Sequence, residues 1–310
     1  MAVTGQQNIN GQNVYFNEDG VQVKGEAITD TNGNVHYYDR RTGNMGVNSW
    51  AETKNVSWLY LNDKGLPLTG AQVIDGQNLY FDQDGKQVKG DIATDGQGNT
   101  HYYDVNTGNM VTNSWAELPD SSWIYLDVNG VAAIGAQKIN GLEFYFDNNG
   151  KQVKNDKVIN DDGTINYYTG MSGEKLKNDF GELPDGSWMY LDNQGNAVIG
   201  DKKINGQNLY FKIDGQQVKG ETYIDGVGKM RFYQADSGEM VTNQFEQVAD
   251  GKWAYFGADG VAVTGEQYID GQYLFFDPTG YQVKGDKRTI DSVLYSFDKD
   301  GGERQRLNTI

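Results

Sequence analysis

The chain has 310 residues, 43 acidic against 26 basic side chains, and a formal charge of −17. That charge argues against nucleic acid and anionic membranes as partners, since both need basic patches, and no stretch approaches the ~18 apolar residues of a membrane helix. The absence of cysteine excludes disulfides and thiolate metal sites without fixing the compartment.

At the N-terminus, Met1-Ala2 precede a repeat already in progress at Val3-Thr4-Gly5, and no signal peptide is visible. This reads as a piece of a longer protein with a start codon added. Gly5, Gly70, Gly135, Gly200 and Gly265 then fall at an unbroken spacing of 65 residues. A period this regular marks a repeat array, which grows by stacking and not by enlarging one core. Residues 1–310 are therefore expected to form one repeat domain, with 41 glycines at its turns and 20 Tyr, 12 Phe and 6 Trp filling a thin interior.

Each block divides into three parts. The first carries GQNLYFDQDGKQVKG at 76–90 and its copies at 11–25, 141–155, 206–220 and 271–285. The second carries HYYDVNTGNMVTNSW at 101–115, with copies at 36–50, 166–180 and 231–245. The third carries SWIYLDVNGVAAIG at 122–135, with copies at 57–70, 187–200 and 252–265. Four blocks are complete, and the fifth decays after Asp286. Every part runs from aromatic and aliphatic residues into an Asn/Asp-rich turn closed by glycine, then into a second short run. That grammar predicts β-hairpins turning at Gly20, Gly43, Gly65 and their counterparts. About fourteen hairpins stacked into an all-β solenoid are expected, because a lone hairpin is marginal in water.

Gln22-Val23-Lys24 recurs unchanged at 87–89, 152–154, 217–219 and 282–284. In a strand the Val points inward while Gln and Lys share the outward face. Either the pair makes cross-strand hydrogen bonds, or it forms a polar clamp able to bond vicinal hydroxyls. In the second part, Tyr38, Tyr103, Tyr168 and Tyr233 never change, whereas the preceding position accepts Phe232. Two residues earlier lie His36, His101, Asn166 and Arg231, so that face is expected to be polar; its Tyr either serves as a sugar platform or packs between hairpins. Trp58, Trp123, Trp188 and Trp253 read as stacking core residues, as do Trp50 and Trp115, which give way to Phe180 and Phe245. Turns such as Asp82-Gln83-Asp84-Gly85 carry too few acids for a calcium loop, and the two histidines lack zinc spacing, so no metal and no cofactor is expected. There is no nucleophile elbow, P-loop or Cys-His pairing; counting does not exclude paired carboxylates, but a glycosidase needs a rigid cleft around two specific ones, and these acids lie mainly in repeated turns.

These repeats resemble the glucan-binding repeats of bacterial glucansucrases, extracellular enzymes that build α-glucans from sucrose; related repeats occur in choline-binding proteins. The resemblance covers nearly the whole chain. It implies a non-catalytic, extracellular, monomeric β-solenoid module that binds α-glucan polymers and oligosaccharides and lies apart from the catalytic barrel of its parent. Similar pockets stack a glucosyl ring on a Tyr and bond it with a Gln-x-Lys pair. The resemblance thus implies pockets at Gln22, Lys24 and Tyr38; at Gln87, Lys89 and Tyr103; at Gln152, Lys154 and Tyr168; and at Gln217, Lys219 and Tyr233, with His36 and His101 as helpers. Asn155 replaces the glycine found at 25, 90 and 220, and Phe297 stands where Tyr38 would repeat in the fifth block. A choline-binding wall anchor, a ligand-free spacer and an enzyme acting on sucrose are the rival readings. The first conflicts with lysines beside a cation site.

Overall fold

The computed structural model describes residues 2–53, 57–248 and 251–307. Within them the chain is all-β: fourteen sheets, thirteen of two strands and a last one of three. It folds into two compact units, Met1–Val153 and Lys154–Ile310, dividing inside the third block. Each unit is a run of short antiparallel hairpins, a β-solenoid built by repetition.

The second block shows how the sequence makes the hairpins. Gly70–Ile74 pairs with Gln77–Phe81 around Asp75-Gly76, whose φ values are +51° and +78°. Two positive φ angles define the type I′ turn, whose twist matches that of the flanking strands. Asn10-Gly11, Asn140-Gly141, Asn205-Gly206 and Asp270-Gly271 do the same. The second hairpin pairs Asp91–Thr94 with Thr100–Tyr103, and the third pairs Ser114–Glu117 with Trp123–Leu126.

The hairpin number matches the expectation, but the frame is shifted. The strand before Gly85 pairs with the strand that precedes it in sequence. The Gln-Val-Lys segment beyond the glycine adds only one isolated bridge, Phe81↔Gln87. The Asn-Gly and Asp-Gly dipeptides supply better hairpin turns than the longer Asp-rich loops. Those loops fold as Asx turns, with Asp82 Oδ1 accepting the N–H groups of Asp84 and Lys86 at 2.9 and 2.8 Å.

Strand alternation builds the core. In Trp58–Leu61, Leu59 and Leu61 are buried while Trp58 is exposed and Tyr60 half-buried. Phe81, Phe146, Phe211 and Phe276 are fully enclosed at the ends of the first hairpins, as are Leu61, Leu126, Leu191 and Phe256 in the third. Successive hairpins are joined by a recurring backbone bond. The N–H two residues beyond a closing glycine reaches the preceding hairpin: Gln87 to Trp58 O at 2.7 Å, Met110 to Asn78 O and Ala132 to Thr100 O, both at 2.8 Å; Pro67, beyond Gly65, has no N–H to give. Where it forms, this bond lays one hairpin on the last and sets which side chains meet.

Candidate functional site

Two clefts arise at these junctions. The first lies where the third hairpin of one block meets the first hairpin of the next. Gln282 N donates to Trp253 O at 2.7 Å, which brings the Gln-x-Lys step beside the tryptophan. Trp253, Phe245, Gln272, Leu274, Gln282 and Lys284 then line a cavity of about 250 Å³. Trp253 is 37% exposed, and Lys284 Nζ stands 5.3 Å from its ring centroid. Gln282 Nε2 donates to Gly301 O and Lys284 Nζ to Asp300 O, both at 2.8 Å. Gln282 keeps its second N–H and its carbonyl for other partners, and Lys284 keeps two N–H groups. The fourth block repeats the arrangement: Gln217 N reaches Trp188 O at 2.7 Å, and Lys219 Nζ stands 5.7 Å from the Trp188 ring.

The Gln-x-Lys side chains also fasten the turn of the following hairpin. Gln22 Nε2 donates to Thr42 O at 3.2 Å and Lys24 Nζ to Arg41 O at 3.3 Å. Gln87 reaches Thr107 O at 3.4 Å, Lys89 reaches Asn106 O at 3.0 Å, and Gln217 reaches Ser237 O at 3.1 Å. The step is therefore partly structural, and its invariance needs no ligand.

The second cleft lies between the first and second hairpins of a block. In block four Arg231, Tyr233, Asn208, Leu209 and Met240 line a cavity of about 370 Å³. In block two His101, Tyr103, Asn78, Leu79 and Met110, the same positions 130 residues earlier, line one of about 250 Å³. A polar strut crosses each second hairpin. His36 Nε2 lies 3.2 Å from Asp30 Oδ2, His101 Nε2 3.3 Å from Asp95 Oδ2, and Arg231 donates to Asp225 Oδ2 at 3.0 Å. The Asp30 carboxyl is held down to about 2, chiefly by the Asn34 side-chain amide. In the third block the strut is amide to amide, Asn160 Nδ2 to Asn166 Oδ1 at 2.8 Å.

The expected sugar platforms are corrected here. Tyr38, Tyr103, Tyr168 and Tyr233 are at most 2% exposed, so none offers a ring face to a ligand. Their rings pack on the first hairpin: Tyr38 on Tyr15, Tyr103 on Tyr80 and Tyr233 on Tyr210, at centroid distances of 5.8, 5.7 and 6.1 Å. Phe297 repeats the contact with Phe275 at 6.0 Å, so the position asks for a core ring. Burial pushes the Tyr103 phenol up to about 12 and raises those of Tyr38 and Tyr233.

The pockets predicted from the sequence are therefore split. Gln87 and Lys89 go with the preceding tryptophan, while Tyr103 and His101 line the second cleft. Gln217 and Lys219 part from Tyr233 in the same way. Gln22 and Lys24 have no preceding third hairpin among the described residues. Gln152 and Lys154 fall on opposite sides of the division between units: Gln152 N reaches Trp123 O at 2.7 Å, and Lys154 Nζ reaches Met171 O at 3.4 Å. Asn155, φ +51°, adopts its glycine's conformation, and its Oδ1 accepts the Tyr167 hydroxyl at 2.7 Å. Some of the tryptophans are a second correction, although Trp115 does pack against the buried Ile139, Phe144 and Phe146. Trp58 and Trp253 are 38% and 37% exposed, not core. The alternation Trp-Leu-Tyr-Leu was the available signal, because it puts Trp and Tyr opposite the buried leucines.

A family model for the choline-binding repeat matches residues 3–50, 68–115, 133–180, 198–245 and 263–306. The chain belongs to the choline-binding repeat family. Its relatives include glucosyltransferase-S of Streptococcus mutans serotype c, 44% identical over 81% of this chain. Glucosyltransferase-I of the same organism is 44% identical over 97% of it. The chain spans only 17% and 20% of those two proteins. Among solved structures, an alternansucrase in complex with isomaltononaose matches 83% of this chain and 18% of that one, at 26% identity and a TM-score of 0.22. The chain is thus similar, over most of its length, to a part of these glucosyltransferases.

Proposed function

We propose that this choline-binding-repeat chain is a non-catalytic module that binds α-glucan, dextran-like polymer or isomaltooligosaccharide, within an extracellular glucosyltransferase acting on sucrose. The observation that carries the reading is the Trp253–Gln282–Lys284 cleft: an exposed indole beside an amide and an ammonium that keep hydrogen-bonding capacity. A pyranose offers an apolar C–H face and a ring of hydroxyls, which such a site matches. Each cleft exchanges sugar–water for sugar–protein hydrogen bonds and is weak. Several clefts on one polymer raise avidity by roughly 10²–10⁴. Kinship to glucosyltransferases supports the same ligand class.

The family match favours choline as a second reading. Its site needs an aromatic cage around a cation. In this cleft the Lys284 ammonium already stands over the Trp253 ring, and Lys219 stands over Trp188. A quaternary ammonium there meets a like charge.

Native gels containing dextran, with a choline resin as control, test the two. Retardation by dextran, relieved by isomaltooligosaccharide, with no retention on choline, is the expected result. Retention on choline without retardation by dextran reverses the assignment.

A further inference from the structure

The second cleft holds a group that neither the fold nor the Trp-Gln-Lys site uses. Tyr233 is wholly buried, and its hydroxyl has no hydrogen-bond partner. A buried hydroxyl left unpaired is costly and rare in native proteins. Phe297 shows that the packing role needs no hydroxyl: it makes the same ring contact in the fifth block. The oxygen at Tyr233 therefore serves something other than packing, and Tyr233 lines a cavity of about 370 Å³.

The surroundings define the ligand. Leu209 and Met240 supply an apolar floor, and Asn208 supplies an amide beside the phenol. Lys202, Lys203 and Arg231 are matched in number by Asp201, Asp259 and the Arg231-bound Asp225, so the cleft has no net charge to offer an ion. Block two keeps the floor, the amide and the phenol as Leu79, Met110, Asn78 and Tyr103, but replaces Lys202 and Lys203 with uncharged Gln72 and Val73 and Arg231 with His101, whose Nε2 lies 3.3 Å from the lining Asp95. Common to both copies are an apolar patch, a neutral amide and phenol, and a basic side chain paired with a carboxylate, Arg231 with Asp225 and His101 with Asp95. A volume of this order accepts one hexose.

We propose that this cleft, between the first and second hairpins of a block, is a second class of sugar site, taking one neutral pyranose unit with a hydroxyl bonded to the Tyr233 phenol. It rests on the glucan-binding reading for the identity of the sugar, but it shares neither Trp, Gln nor Lys of the first cleft. Each block with both clefts intact then offers a polymer two contacts.

The full chain, carrying [methyl-13C]methionine and 5-fluorotryptophan, is titrated with isomaltotriose and followed by NMR. The Met110 and Met240 methyls report the second cleft, and the tryptophans report the first. Saturable shifts of Met110 and Met240 are expected. Tyr233→Phe, which keeps the ring, should weaken the Met240 response about fivefold, the worth of one hydrogen bond, and leave Met110 unchanged. Shifts confined to the tryptophans overturn the proposal while keeping the first cleft. A Met240 response unaltered in Tyr233→Phe overturns the role of the phenol. Silence in both sets of signals overturns the glucan reading itself, and this proposal with it.

Discussion

Gln217 and Gly238 are fitted to each other: a Cβ on Gly238 would lie 2.3 Å from Gln217 Nε2, while that same nitrogen donates to Ser237 O at 3.1 Å. Gln22 with Gly43 and Gln87 with Gly108 repeat the fit at the same 2.3 Å. The amide needs the absent side chain in order to reach the turn, and at φ +70° the backbone of Gly238 favours glycine in any case.

Gly238→Ala should therefore lower stability by about 1–3 kcal/mol, from strain at positive φ plus a displaced Gln217 clamp. Urea unfolding followed by far-UV circular dichroism checks this. A midpoint equal to that of the parent would show that the clamp carries no stability.

Trp253→Ala should weaken dextran retardation with little loss of fold, because its ring is more than one-third exposed. The single change leaves other clefts working, so a few-fold loss is expected. Combining it with Trp58→Ala should weaken binding by more than the product of the single effects, since bridging across clefts is lost. Affinity electrophoresis at graded dextran concentrations measures both.

Tyr103→Ala acts on a different property. Removing a buried ring leaves a cavity and should cost about 3–5 kcal/mol, whereas Tyr103→Phe should cost about 1 kcal/mol or less. Thermal unfolding separates the two. Equal effects would mean that the hydroxyl and not the ring holds this position.

The buried phenols make the fold sensitive to alkali. Tyr103 ionises near 10 in the unfolded chain but at about 12 in the fold, because burial disfavours the phenolate. Between those values the folded state holds a proton that the unfolded state has lost, so stability is complete below pH 10 and falls as pH rises towards 12. Tyr38 and Tyr233, raised in the same direction, add to the slope. The urea midpoint should drop across pH 10–12, and less steeply in Tyr103→Phe.

The period, the all-β class and the hairpin number were legible because Gly, Asn and Asp recur at fixed places and each has one dominant use in a turn. The inward Val of the Gln-x-Lys step was legible for the same reason as any alternating strand: Val218 and Val283 are buried. The pairing frame was not, because strands of four or five residues carry too little pattern to choose between two adjacent turns. The partner of Gln282 was hidden for a further reason. Trp253 precedes it by a whole hairpin, and only the backbone bond at the junction brings them together. Constancy at Tyr38, Tyr103, Tyr168 and Tyr233 looked like function, yet a position enclosed on all sides is just as constrained by shape.

The backbone bond from Gln282 to Trp253, and its counterparts such as Gln87 to Trp58 and Met240 to Asn208, has a further result. A cleft belongs to no single hairpin; it is made when one is laid upon another. The valence of such a chain therefore counts seams, not repeats. Lengthening it by one hairpin adds one seam, and cutting it anywhere leaves two half-clefts facing water. On the proposed glucan-binding reading, a gene that gains or loses blocks by recombination would tune its grip on a polymer in whole steps, without altering a single side chain at any surviving seam.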